Sequence, residues 1–434
     1  MNSRPRRRAL LLGAAGVGTA FGLGAWATVY RELHADIALY SHTVAFDARG
    51  ERTLVDDALL ASLIPGTRVL DQGPASQGLL AAEEAFLAGS APWVAAADDE
   101  SGTLRSALLD LHVLSAGLPV SVAGWSSRWR YAWPRDVSFV ATALARAGYA
   151  AKAAQQLRFL QRVQRPDGWF EARYDLATRA APDGRAAQLD GTGWVLWACA
   201  ELTRAAPQVA LPELARLRPL VVASTSCLID SLDEDSGLPP VAPDYWEIPE
   251  RRLTLGTAAV VLTGLRSAVE VLEALDEARR ARRAADAAAA LEEAVWEGFG
   301  PHFPRELGTV HHDAAVTFLC PPLGNGSLPA TLPAILDAAQ AALARPAGGL
   351  APGAGWKQDG VSWTPETALF ALARAGLGDG ERARELLDWL GRHRTQAGSY
   401  PEKVLFDGRP AAVAPLAWTA ACVVLAHHEL AGRP

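Results

Sequence analysis

From residue 103 to residue 431, apolar side chains return every three or four positions in one segment after another. The segments are 103–116, 137–164, 190–207, 211–232, 254–298, 329–345, 364–376, 380–394 and 415–431. That spacing gathers the apolar residues of each segment on one face of an α-helix. Two-residue alternation is scarce, so there is little from which to build a sheet. Several segments are too long for one helix and must divide; Gly148, between Ala145 and Ala151, marks such a point. The sum is roughly ten to twelve helices. Between them stand turn sequences such as Arg165-Pro166-Asp167-Gly168, Ala181-Pro182-Asp183-Gly184 and Asp235-Ser236-Gly237, and the glycine-rich stretch 348–360. The expected class is all-α. No internal repeat is evident, which argues against a solenoid. The Ala-rich stretch 274–294, carrying Arg279, Arg280, Arg282 and Arg283, predicts a solvated outer helix.

Upstream of the helices the chain changes character. Residues 31–100 combine alternation around Val44–Phe46 with a helical patch near Leu79–Leu87. They are too few for a second catalytic domain and are expected to form an extension packed on the helical body. Residues 1–30 hold Arg4, Arg6, Arg7 and Arg8 and then a largely apolar run from Ala9 to Tyr30. A basic flank before about 20 apolar residues reads as an export signal or membrane anchor with its start inside the cell. Arg7-Arg8-Ala9-Leu10-Leu11 resembles a twin-arginine signal, and Ala25-Trp26-Ala27 offers a cleavage site. The expected division is therefore 1–30 signal or anchor, 31–100 extension, and 101–434 helical domain. The expected location is extracytoplasmic, secreted or held at the membrane through residues 9–30.

Composition narrows the function. The chain is 50% hydrophobic and 21% charged, enough to bury a core. Its 41 basic and 48 acidic residues give a net charge of −7, so no basic field exists to hold nucleic acid. Cys199, Cys227, Cys320 and Cys422 lie far apart in apolar segments, without the paired spacing of a metal site or the density of a disulfide scaffold. His311-His312-Asp313 lacks the spacing that puts ligands on a shared face. The glycines from 348 to 355 are not followed by Gly-Lys-Ser/Thr and form no phosphate loop. No metal or organic cofactor is expected, and the chain is expected to be a monomer.

Fourteen Trp residues stand against a single Met. Trp169, Trp194, Trp197 and Trp296 fall in segments where packing between helices accounts for them. Others crowd three loops. Trp129-Arg130-Tyr131-Ala132-Trp133-Pro134-Arg135-Asp136 leads directly into a helix, Asp244-Tyr245-Trp246-Glu247 precedes another, and Tyr400-Pro401-Glu402-Lys403-Val404 precedes the last, with Asp407-Gly408 and Trp418 beyond it. Singly, each has a plain structural reading: Arg-Asp at a helix start is a cap and dipole partner, and a loop glutamate is a solvated charge. Glu171 and Arg173, near the Asp167-Gly168 turn, are explained equally well as rim residues or as solvated charges. Taken together, the loops describe a sugar site. Aromatic faces pack on the apolar faces of a pyranose, Arg and Asp fix hydroxyls with directed hydrogen bonds, and two carboxyl groups flanking a glycosidic bond supply an acid and a base.

At these residues the chain is similar to glycoside hydrolase family 15, the glucoamylase-like enzymes. Tyr131–Asp136 resembles the family's W-x-R-D loop, Trp246-Glu247 its W-E motif, and Ser399–Val404 with Pro415–Trp418 its general-base segment. Gln188-Leu189-Asp190-Gly191 with Trp194 resembles a further stretch lining the pocket. The similarity runs from about residue 104 to 431 in family order. It implies an (α/α)6 toroid and an inverting, exo-acting α-glycosidase that releases glucose-like units from an oligo- or polysaccharide. Glu247 would be the general acid, kept protonated by a partly apolar surround including Trp246. Glu402 would be the general base, with the carboxyl groups roughly 6.5–9.5 Å apart. Trp129, Trp133, Arg135, Asp136, Asp190, Trp246, Lys357, Trp363 and Tyr400 would bind the sugar.

Two features depart from the family pattern. Gly355–Trp363 carries Lys357 where relatives have an Arg, a point charge in place of a bidentate fork. Ile248 follows Glu247 where some relatives have a second carboxylate. Both changes fall where a leaving group would bind. A trehalose-, α-1,6-linkage- or cell-envelope-glycan-specific enzyme would keep both glutamates and change only this rim. The non-enzymatic alternative is a toroid that binds glycans without cleaving them.

Overall fold

A computed structural model describes residues 35–97, 101–324, 326 and 329–432. The expectations for residues 1–30, and the membrane attachment assigned to 9–30, lie outside the described residues. The first regular element among the described residues is a hairpin, β1 (Thr43–Phe46) and β2 (Arg52–Val55), in antiparallel register Thr43↔Val55. Helices α1 (Pro74–Ala88) and α2 (Pro92–Ala97) follow.

Helices α3 (Thr103–Val113), α4 (Pro134–Arg146), α5 (Ala150–Val163), α6 (Asp190–Ala205), α7 (Pro207–Asp230), α8 (Leu255–Ala274) and α9 (Ala278–Phe299) come next. A 3-10 element (Ala314–Leu319), α10 (Leu332–Leu343), α11 (Thr364–Leu377), α12 (Gly380–Arg392) and α13 (Ala417–Ala431) complete them. The long segment 137–164 divides at Gly148, whose φ of 96° turns the chain, and 254–298 divides at Asp276. Helix α4 starts three residues ahead of the periodic segment because Pro134 stands at its first position, where a missing N–H costs nothing.

Neighbour contacts sort these elements into two rings. The inner ring runs α4, α6, α8, the 3-10 element, α11, α13 and back to α4; α3, α5, α7, α9, α10 and α12 pack outside it. This is an (α/α)6 toroid, as the resemblance implied. The sequence explains which helix goes where. Helix α9 buries only Ala281, Ala284, Ala288, Leu291, Val295 and Phe299, a single stripe, and so lies outside as expected. Helix α8 is buried nearly all round. Among the described residues it is the one helix long and apolar enough to span a membrane, and here the ring encloses it. Small residues let the inner helices approach: a Cβ on Gly193 of α6 would stand 2.3 Å from the Val260 carbonyl oxygen of α8. The fourth inner position is a short 3-10 element because Pro321 and Pro322 forbid its continuation.

Residues 35–97 pack against the ring on its last-helix side. Arg68, fully buried, is paired with Asp110 of α3 at 2.7 Å. Asp110 in turn accepts from Ser399 Oγ at 2.6 Å and from the Tyr400 N–H at 3.0 Å. A second small sheet, β3 (Ser362–Trp363), β4 (Lys403–Val404) and β5 (Pro410–Ala411), sits at one end of the toroid, with Trp363 opposite Lys403. The four cysteines are buried and unbonded.

Candidate active site

Helices α4, α6, α11 and α13 begin at the same end of the ring, and the chain leading into α8 passes there too. A cavity of about 500 Å³ opens among these starts. The amino-terminal ends supply a positive field that favours carboxylates. Asp136, Asp190 and Glu366 each stand in the first turn of an inner helix.

Of the residues singled out in the sequence, Trp129, Trp133, Arg135, Asp136, Trp246, Trp363, Glu247 and Glu402 line this cavity. Arg135 is 7% exposed and lies 3.0 Å from Asp136, its guanidinium 4.4 Å from the centre of the Trp418 ring. Its Nε and Nη1 have no hydrogen-bond partner. Burial pushes the Asp136 carboxyl up, and Arg135 opposes the shift. Asp190 is not in the cavity wall; it faces Arg135 from the start of α6, with burial raising its carboxyl to about 7 and Arg135 holding it down.

Glu402 comes from the small sheet. Its N–H donates to Val413 O at 2.8 Å and its carbonyl accepts from the Thr364 N–H at 3.1 Å, so the backbone is held on both sides. Burial raises its carboxyl. Lys403, at 3.4 Å, and Trp129 oppose that shift, while the charge of Glu247 adds to it. Lys403 also lies 4.2 Å from the centre of the Trp363 ring.

Glu247 is held differently. Its φ is 56°, in the left-handed region that a residue with a side chain enters at a cost of about 1–3 kcal/mol. Asp244 shapes the turn: its carboxylate accepts from the Trp246 N–H at 3.0 Å and its carbonyl from the Glu247 N–H at 2.8 Å. Behind the turn, buried Arg305 joins Asp244 (3.1 Å), Asp313 (3.2 Å) and Glu250, and stacks 3.5 Å from the centre of the Trp246 ring. The Glu247 carboxylate accepts from Trp133 Nε1 at 2.6 Å, is ion-paired with Arg185, and lies 3.8 Å from Arg135. The expectation of an apolar surround is thus corrected. The loop 171–188 brings Arg185 onto the carboxylate, and Trp246 faces Arg305 instead.

Besides Asp190, two more expected contacts are absent from the cavity wall. Tyr400 is fully buried and donates its hydroxyl to Thr103 O at 2.9 Å, which makes it a strut between the Glu402 segment and α3. Lys357 is exposed, its Nζ 6.0 Å from the Trp356 ring centre. Trp356 packs behind two wall residues, its ring 4.7 Å from Trp246 and 5.6 Å from Trp363, and Lys357 beside it is left outside the cavity. Conversely, Arg128, Arg173, Arg185, Glu366 and Trp418 line the cavity although the sequence-based set omitted them. Arg173 pairs with Asp183 at 2.6 Å and lies over Tyr131 and Trp133, while Tyr40 of the extension reaches the rim beside Trp129, at 5.6 Å between rings. For Trp418 the signal was its place one residue into the last helix. For Arg185 there was none beyond a charged loop.

No protein-family model matches the chain, and no curated protein matches it by sequence. Solved structures do match by shape. A wild-type glycosidase, 21% identical, aligns over 79% of this chain and 98% of its own, with a TM-score of 0.67. A glutamate-to-alanine variant of a glycosidase in complex with glucose aligns equally far at 20% identity, TM-score 0.66. A bacterial glucoamylase complexed with acarbose, 16% identical, covers 80% of this chain and 57% of its own, TM-score 0.63. The glucoamylase of Saccharomycopsis fibuligera, 14% identical, covers 80% and 95%, TM-score 0.58. The chain has the glucoamylase fold.

Proposed function

We propose that this protein is an exo-acting, inverting α-glycosidase that releases terminal glucose-like units from an oligo- or polysaccharide, with Glu247 as general acid and Glu402 as general base. One observation carries the proposal. Two glutamates remote in sequence share a single cavity walled by Trp129, Trp133, Trp246, Trp363 and Trp418, at the helix-start end of a glucoamylase fold. Its volume falls within the usual range for small-ligand sites.

Each side chain then has a task. The indole faces pack on the sugar ring. The free Arg135 nitrogens and the Asp136 carboxylate grip hydroxyls of the terminal unit. A base works better as its proton affinity rises toward the working pH, and burial moves Glu402 in that direction. Once ionised, it takes a proton from a water molecule as that water attacks the anomeric carbon. Glu247 gives its proton to the departing oxygen. For that, Arg185 must leave it, so that the carboxyl can turn to the departing oxygen. A leaving sugar seated against Trp246 would take the place of Arg185 at the carboxyl. The product carries inverted configuration. We extend the proposal to location: residues 1–30 direct export, so an antibody should find the protein outside the cytoplasm on cell fractionation.

Hydrolysis of an α-linked glucoside panel, followed by NMR from the first minutes, tests the chemistry. Initial appearance of the β-anomer is expected. Initial α-anomer, or no release from any member of the panel, overturns the proposal.

A further inference from the structure

The proposed reaction leaves Glu366 without a task. It is the third residue of α11, following Trp363-Thr364-Pro365, a position where a glutamate ordinarily serves its own helix end from the solvent side. Here it lines the cavity at 3% exposure, and its Oε2 is buried with no hydrogen-bond partner. The carboxyl is otherwise held only by its own backbone N–H. An unpaired buried polar atom is a net loss to the fold, and of the buried carboxyls with one, Asp244 and Asp190 lie outside the cavity wall whereas Glu366 lines it. In the wall of a cavity, such an atom is one that a ligand completes after a small side-chain rotation.

The surrounding charges decide what Glu366 can offer. Arg135 of α4 attracts a negative charge there, while Glu402 of the small sheet and Asp313 ahead of the 3-10 element repel one. Burial outweighs the attraction and pushes the carboxyl up to about 8, so at neutral pH it carries its proton. The cavity is already rich in acceptors, with Asp136, Glu247 and Glu402 in its wall. A protonated carboxyl adds a donor that carries no charge, beside the arginines and indoles that already donate there.

We propose that Glu366 is a neutral hydrogen-bond donor to one hydroxyl of the bound terminal sugar, and that it thereby sets which monosaccharide units the cavity accepts. This rests on the glycosidase reading. A buried donor rejects an analogue lacking its partner hydroxyl because it is then left unpaired.

The probes are D-glucose and its 2-, 3-, 4- and 6-deoxy derivatives, with binding followed by intrinsic tryptophan fluorescence at pH 6. For the wild type, one deoxy sugar should bind roughly 10- to 100-fold more weakly than glucose. In Glu366→Leu that one difference should disappear while the other deoxy sugars keep their ranking. In Glu366→Gln, which retains a donor, it should persist. A pH series from 6 to 9 provides the second arm. Glucose binding to the wild type should weaken as pH passes about 8, and binding to Glu366→Gln, in which only Asp190 and the other buried carboxyls titrate, should weaken less. The series is repeated in a Glu402→Gln background, because Glu402 titrates in the same cavity. Should Glu366→Leu fail to fold by circular dichroism, the pH arm decides. An unchanged deoxy-sugar pattern in a folded Glu366→Leu, or a wild-type response no steeper than that of Glu366→Gln, overturns the inference while leaving the two-glutamate reading standing. Absence of glucose binding together with absence of hydrolysis overturns both.

Discussion

Glu402 and Glu247 reach one cavity from supports of opposite kind. Glu402 rides on a sheet whose neighbours fix its backbone on both sides, and the extension braces that segment from behind through Arg68, Asp110, Ser399 and Tyr400. Glu247 stands at the tip of a turn, in a costly backbone conformation, with its carboxylate tied to Arg185, a side chain on an exposed loop. The contrast matches the proposed tasks. A base must keep one distance from one water molecule. An acid must change its protonation state during the cycle, and that is easier where the partner can move. Strain at Glu247 also requires a firm foundation, which the buried Arg305 cluster provides.

The broadest test removes each carboxyl in turn. Glu402→Gln and Glu247→Gln should each lower kcat by about 10²–10⁴-fold while sugar binding, followed by tryptophan fluorescence, persists. If the contrast is right, the two losses differ in kind. Leaving groups that need no protonation, such as a 2,4-dinitrophenolate or fluoride, should restore much of the rate to Glu247→Gln and none to Glu402→Gln. Equal restoration in both would erase the distinction. Arg305→Met attacks the foundation instead. It leaves Asp244, Asp313 and Glu250 buried with no cation among them, at a cost of about 3–5 kcal/mol in denaturant unfolding. It should also lower kcat more than it changes KM, since the turn that presents Glu247 depends on it.

A third test uses pH and the wall itself. Asp190 at about 7, Glu366 at about 8 and the raised Glu402 all hold protons more tightly when folded than when unfolded. Such groups add stability that is complete below their unfolded values, near 4, and is lost as pH rises through the folded ones. Thermal stability should therefore fall between pH 5 and about 8.5. Glu366→Gln, which cannot ionise, should show a shallower fall. A flat Tm for the wild type across that window would contradict the burial of these carboxyls.

The same contrast explains what the sequence disclosed. The helices were legible because apolar residues recur along them at helical spacing, while their closure into a toroid was implied by the family resemblance alone. The 3-10 element at Ala314–Leu319 was not legible, being shorter than two helical turns and so without a period. Trp133, Arg135, Glu247 and Glu402 stood out because aromatics and charges crowd short loops. Glu366 did not, because Pro-Glu at a helix start looks the same whether the carboxyl meets solvent or a cavity. Arg185 is one arginine in a charged loop, and only the fold brings it 62 positions forward onto Glu247. Tyr400 misled in the opposite direction: a tyrosine beside a glutamate suggests sugar binding, but its hydroxyl finds a carbonyl 297 residues away.

The smallest effects bear on Tyr400 and Lys357, both expected at the sugar site and found outside the cavity wall. Tyr400→Phe removes one buried hydrogen bond and should cost about 1 kcal/mol of stability. Because the ring remains to brace the Glu402 segment, kcat/KM should stay within about twofold of the parent. A larger loss would mean that the hydroxyl, through α3, holds Glu402 at its working distance. Lys357→Ala should change neither stability nor kcat/KM on a short substrate, since Lys357 is exposed and outside the cavity wall. A length series of oligosaccharides makes this informative. Should the variant lose activity only as the substrate lengthens, the rim near Lys357 carries the sugars beyond the cleaved bond. Should it lose activity on the shortest substrate, the segment 355–360 must close inward on binding, and the division between a fixed wall at Glu402 and a moving one at Glu247 would no longer hold.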